Sequence, residues 1–169
     1  MKSDSNSRAI LALLAALTSS GALASNSVEI ALEIPKQQDG QYQRPYVAVW
    51  VESGGKAIRT LALWKKEDDW LKDLRRWWRK AGRYSHTDID AATGATRAPG
   101  QYRLRWDGRD RNGEMLPPGD YLIALEAARE HGNRTLYKQK ISLNNSPQRY
   151  TLPAGKELGQ VTVTVGDTQ

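Results

Sequence analysis

The chain has 169 residues, a formal charge of +6 and no cysteine. Its length suits one domain with a buried core. The missing cysteine excludes disulfides, thiol nucleophiles, iron–sulfur clusters, Cys-based zinc sites and haem attached through C-x-x-C-H.

The N-terminal stretch carries Lys2 and Arg8, then an apolar run from Ala9 to Leu17, then small residues ending in Ala22-Leu23-Ala24. This is the pattern of a secretory signal peptide cleaved after Ala24, which implies a periplasmic mature chain of residues 25–169. The apolar run is about half the ~20 residues a spanning helix needs, and no later run is longer, so no membrane span is expected after cleavage. Lack of cysteine at the cleavage site also removes lipoprotein anchoring. An exported protein rarely meets nucleic acid, so the basic charge is not read as a nucleic-acid footprint.

From residue 28 the chain reads as strands. Val28, Ile30, Leu32 and Ile34 alternate with Glu29, Ala31 and Glu33, the period-two pattern of a half-buried strand. Tyr46 to Val51 and Ile58 to Trp64 form two more runs, joined across Glu52-Ser53-Gly54-Gly55-Lys56, which predicts a hairpin. Tyr102, Leu104 and Trp106 alternate on one run and Tyr121, Ile123 and Leu125 on another, and a second hairpin is expected between them. Further runs at 135–143, 149–152 and 161–165 bring the expected total to seven or eight strands. Their spacing predicts one all-β domain, an immunoglobulin-like or fibronectin-like sandwich.

One helix is expected over about 68–82, with acidic residues at its start and Gly82 at its end. At ~100° per residue, Trp70, Leu71, Leu74, Trp77 and Trp78 share one face and Lys72, Arg75, Arg76 and Arg79 the other. The basic face, with Arg75, Arg76 and Arg79, is a candidate surface for an acidic partner or anionic headgroups. A solvated polar face is the competing reading.

The stretch 83–100 has neither helical nor strand period and is expected to be an exposed loop. It contains Asp90-Ala91-Ala92-Thr93-Gly94-Ala95-Thr96. This heptad resembles the D-x-x-[ST]-G-A-T acceptor sequence of extracytoplasmic flavin transferases, which move flavin mononucleotide (FMN) from FAD onto the final threonine. All five specified positions match, an event expected by chance in roughly one chain of this length in several thousand. The resemblance implies a phosphoester between Thr96 Oγ1 and the flavin phosphate, with Asp90, Thr93, Gly94 and Ala95 serving recognition and access. A bulky side chain beside the acceptor would obstruct the transferase, and Gly94 adds backbone freedom. An attached flavin ring needs aromatic or apolar cover, for which Trp70, Trp77, Trp78, Tyr84 and Trp106 are candidates. Core packing is the competing reading of each.

A broader resemblance covers most of the mature chain. The segments Tyr46-Val47-Ala48-Val49-Trp50, Asp73 to Arg79, Thr93 to Gly100, and Trp106-Asp107-Gly108 through Pro117-Pro118-Gly119-Asp120-Tyr121 look like a family of predicted periplasmic proteins of unknown function. Its members tend to be found beside PepSY-type membrane proteins and flavin transferases. That resemblance implies electron transfer with a PepSY-type membrane reductase and a link to ferric siderophore reduction. The W-D-G to P-P-G-x-Y portion is also similar to the immunoglobulin-like module of flagellar hook-capping proteins, which agrees with a sandwich.

Residues 107–113 superficially resemble a calcium loop, but oxygen ligands are not at positions one, three and five and no closing glutamate follows. They are expected to form a turn. His86 with Asp88 and Asp90, and His131, are read as structural or surface groups rather than metal ligands. There is no G-x-S-x-G, H-E-x-x-H or glycine-rich phosphate loop. An electron-transfer protein that is itself the substrate of a flavin transferase is therefore favoured over a self-sufficient enzyme. A cofactor-free immunoglobulin-like binding or scaffold module is the alternative.

Overall fold

The computed structural model describes residues 27–38, 42–84, 87–144 and 146–166; the expected export signal lies outside them. In chain order the strands are β1 (Val28–Ile34), β2 (Tyr46–Ser53), β3 (Lys56–Lys65), β4 (Thr93–Ala95), β5 (Gly100–Trp106), β6 (Gly119–Ala128), β7 (Arg134–Leu143), β8 (Gln148–Leu152) and β9 (Val161–Val165). They form a four-stranded sheet in the order β5-β1-β9-β8 and a five-stranded sheet in the order β4-β3-β2-β6-β7. The all-β sandwich expected from the strand spacing is the observed architecture. Every described pairing is antiparallel except that of β3 with β4.

Side-chain alternation decides what each face of a strand meets. On β2, Val47, Val49 and Val51 enter the core between the sheets with Ile30, Leu32, Leu125 and Val163. Ala48 and Trp50 point the other way, into a second apolar cluster with Leu63, Leu71, Leu74, Trp77 and Ala81. The five-stranded sheet is thus covered on both faces, by the other sheet and by the segment between β3 and β4. This double cover explains why β2 is buried along almost its whole length.

The β2–β3 hairpin turns through Gly54 and Gly55 at φ of 55° and 76°, values open to glycine without strain. The second expected hairpin is absent. β5 pairs with β1 in one sheet, and β6 pairs with β2 and β7 in the other. Alternation identifies a strand's faces but not its neighbour, and the connection 107–118 crosses from one sheet to the other. Within it Asp110 Oδ1 accepts the backbone N–H groups of Asn112 and Glu114 at 2.8 and 2.9 Å, so this carboxylate closes a turn. Among the described residues nine strands form rather than seven or eight; β4 arises inside the stretch expected to be a loop.

The segment 68–82 is not the single continuous helix expected. A 3₁₀ turn (Leu71–Asp73), one turn of α-helix (α1, Arg75–Trp77) and a π turn (Trp78–Gly82) follow one another, with Leu74 at φ −77°, ψ 68° breaking the first from the second. The cause lies on the sheet beneath. Glu126 of β6, fully buried, accepts the N–H of Arg76 at 3.0 Å and of Trp77 at 2.8 Å, and Arg134 Nε at 2.5 Å. The first N–H groups of a helix have no partner within it, and a carboxylate supplied from another strand restarts the helix at that point. The wide final turn brings Trp77 and Trp78 onto Gly82, where a Cβ would approach both rings to 2.6 Å. The expected apolar face holds: Leu71, Leu74 and Trp77 are buried and Trp70 and Trp78 pack against them.

Candidate functional site

The chain leaves the π turn, passes through α2 (Thr87–Ala92) and enters β4, so the heptad 90–96 spans a helix end and an edge strand rather than an open loop. Three contacts hold it. Asp88, buried on α2, accepts the backbone N–H of Thr60 on β3 at 2.8 Å. β4 then lies parallel to β3 in the register Leu63 to Thr93, Trp64 to Gly94 and Lys65 to Ala95. Thr93 Oγ1 donates to the carbonyl of Ile89 at 2.7 Å, which ties the strand's first residue to the last turn of α2.

Beyond β4, half-buried Thr96 lines a cavity of about 250 Å³ with Tyr42, Arg44, Tyr46, Lys66 and Glu130. Arg44 and Lys66 are exposed at its edge, so cations outnumber the one carboxylate. The Tyr42 hydroxyl is buried without a hydrogen-bond partner. Burial pushes its pKa above the ordinary tyrosine value, and the charges of Arg44 and Arg129 oppose that rise. Tyr46 is committed, its hydroxyl accepting the N–H of Glu67 at 2.8 Å. Arg97, next to Thr96, lies 5.4 Å over the ring of Trp64, a cation–π contact that fixes the chain leaving the motif.

The other end of the heptad faces a different space. Asp90 and Thr93 line a cavity of about 520 Å³ together with Leu71, Trp77, Trp78, Tyr84 and Ile89. Three of the five aromatic residues proposed as cover are thus brought to the motif. Trp106 is not among them: it is 1% exposed in the core between the sheets, edge-on to Tyr121 at 5.9 Å. Its nearness to the motif in sequence is lost because β5 runs on the other sheet. Trp70 packs edge-on against His131 at 5.6 Å instead.

The three arginines proposed as a docking face divide. Arg75 and Arg79 are exposed, whereas Arg76 forms a two-pronged pair with buried Glu52 at 2.7 and 3.0 Å. Glu52 also accepts Trp50 Nε1 at 2.9 Å. A buried carboxylate needs a counter-charge, so Arg76 belongs to the tether between sheet and insertion. Among the described residues no cluster of three His, Asp or Glu side chains is placed to hold a metal; His86 lies outside them.

Sequence reasoning missed Tyr42, Arg44 and Lys66, which carry no local signal because they meet Thr96 only through the fold. It also missed Glu52 and Glu126, for which a signal existed. A lone glutamate inside an apolar strand run such as Tyr121 to Ala128 is buried and therefore paired.

The family described as a predicted periplasmic protein (DUF2271) matches residues 27–160. The chain belongs to this family. The match begins just before β1 and ends just before β9, so it takes in both cavities and the whole heptad. It agrees with the periplasmic location expected from the N-terminal pattern. No curated protein and no solved structure matched the chain. No helix among the described residues is long and apolar enough to cross a membrane.

Proposed function

We propose that this member of the family is a periplasmic electron carrier with FMN attached through a phosphoester to Thr96. The observation that carries the reading is the company of the Thr96 hydroxyl: two cations and an unpartnered phenol donor share its cavity. A phosphodiester bears one negative charge, which Arg44 and Lys66 would offset and Tyr42 would hydrogen-bond. The larger cavity, walled by Trp77, Trp78 and Tyr84, would cover the flavin ring. Thr93 and Thr96 lie about 10 Å apart along an extended chain, comparable with the reach of a ribityl phosphate arm.

Gly94 supports the same reading. Its φ is not positive and an added Cβ would meet only Trp64 Cδ1 at 3.9 Å, an ordinary contact. The fold does not demand glycine here, so its small size serves access to Thr96. During transfer the Thr96 oxygen would bond to the flavin-bearing phosphorus of FAD. The bond from that phosphorus to the AMP portion would break, AMP would leave, and the hydroxyl proton would pass to a base of the transferase.

Bound FMN supplies one- and two-electron chemistry. This chain's residues hold it, shield it and present it to partners. A PepSY-type membrane reductase is the proposed partner, and ferric siderophore reduction the proposed pathway. Fluorescence of the denatured band after exported co-expression with a flavin transferase tests attachment. It should be present in the wild type and in Thr93→Ser, and absent in Thr96→Val. A band dark in all three would leave the cofactor-free binding or scaffold module as the reading.

A further inference from the structure

A third cavity, of about 450 Å³, opens at the β2–β3 hairpin. It is lined by Lys56, Arg79, Lys80 and Arg111, with Gly55, Ala57 and Tyr84 completing the wall. Four positive side chains converge, and no carboxylate of the described residues lines the space. Of the acidic residues near Lys56 and Arg111 in sequence, Glu52 is engaged with Arg76 and Asp110 with backbone N–H groups of its own turn.

Two of the four cations are held in place by the fold. Lys80 Nζ donates to the Gly55 carbonyl and Arg111 donates a guanidinium N–H to the Ala57 carbonyl. The Arg111 backbone N–H also bonds the Ile58 carbonyl at 2.9 Å, which fixes the 107–118 turn to β3. Each pinned group keeps further N–H donors, and a pinned side chain loses less conformational freedom when a ligand arrives. Lys56 and Arg79 have no acidic partner among the described residues and are exposed. The fold therefore brings like charges together without neutralising them, at a standing cost in repulsion.

We infer that this cavity is a binding site for a small polyanion, a molecule bearing two or more carboxylate or phosphate groups. Concavity favours a small molecule over a protein surface, and the volume lies in the range of small-ligand sites. Tyr84 lines this cavity and the larger aromatic one, so an anion held here sits across a single side chain from the proposed flavin cover. The site stands without the flavin, and its failure would leave the reading of Thr96 untouched.

The test is calorimetric titration of the mature chain, made without a flavin transferase, with inorganic pyrophosphate and with citrate at low salt. At least one should bind, and comparing the two separates phosphate from carboxylate preference. The double variant Lys56→Gln/Arg79→Gln should weaken binding by about tenfold or more. It should melt like the wild type, since neither side chain has a hydrogen-bond or ion-pair partner among the described residues. Arg103→Gln/Arg105→Gln, which removes two exposed cations from the other sheet, should leave affinity unchanged. Equal losses from both variants would mean non-specific charge attraction and overturn the site. Binding of neither probe would overturn it as well, and binding of an oligo-glutamate peptide alone would reassign the surface to an acidic protein.

Discussion

The inner face of the five-stranded sheet meets Ile30, Leu32, Val161 and Val163 of the other sheet, apolar against apolar. Its outer face meets a segment that is apolar at Leu74 and Trp77 but is fastened by two buried carboxylates, Glu52 and Glu126. The inner contact is made by strands in long antiparallel register. The outer one is made by short, irregular turns whose backbone N–H groups depend on side chains of the sheet. The comparison teaches that the sandwich is held by apolar packing between its sheets, and that the residues around the heptad are a layer fastened to it by specific polar contacts. The cavities lie in and around this layer, where regular structure gives way.

The largest effect should come from the inner face. Leu125→Ala leaves a hole in a fully buried position and should cost about 2–5 kcal/mol, lowering the urea midpoint equally for every spectroscopic probe. Next is Glu126→Gln, which keeps the volume but removes the charge that Arg134 and two backbone N–H groups share. A loss of about 1–3 kcal/mol is expected, with amide exchange rising in residues 71–82 before it rises in β1 or β9. Exchange rising uniformly would break the comparison and make the sandwich and its outer layer one cooperative unit.

Legibility follows the same division. β1 could be read from alternation because its faces differ in polarity, β2, β3 and β9 could be read as runs of strand-forming residues, and the apolar stripe through Leu74 and Trp77 could be read because its helix faces differ in polarity. Their pairings could not, which is why β5 and β6 looked like a hairpin. The break at Leu74 depends on Glu126, some fifty residues away. Of the candidate site, the heptad itself was legible, as were Trp77, Trp78 and Tyr84 as its company. Tyr42 and Arg44 reach Thr96 only because the chain before β2 folds back past the end of β4, an arrangement no local pattern encodes.

Alkaline pH acts on both regions and sharpens the contrast. Burial raises the pKa of Tyr121, at the inner core, and of Tyr42, at the Thr96 cavity. Below the ordinary tyrosine value, near 10, folded and unfolded chains both hold these protons and stability is unaffected. Above it the unfolded chain releases protons that the folded chain retains, so stability falls as pH rises. Tyr121→Phe and Tyr42→Phe should each remove part of that fall in chemical unfolding measured across the alkaline range. A fall unchanged in both variants would contradict the assignment.

The smallest effect on stability, and the most selective on function, is expected from Gly94→Ala. An alanine fits the space and restricts the unfolded chain, so stability should rise by about 0.4–1 kcal/mol while flavin transfer slows. Loss of stability together with loss of transfer would mean that glycine serves the fold rather than access.

The central claim is tested most directly by the intact mass of the mature protein, exported from cells that contain a flavin transferase, beside Thr96→Val. The account predicts that the wild type gains the mass of one FMN less one water and that the variant does not. An unmodified mass in both, from a preparation in which a known acceptor is flavinylated, would contradict it.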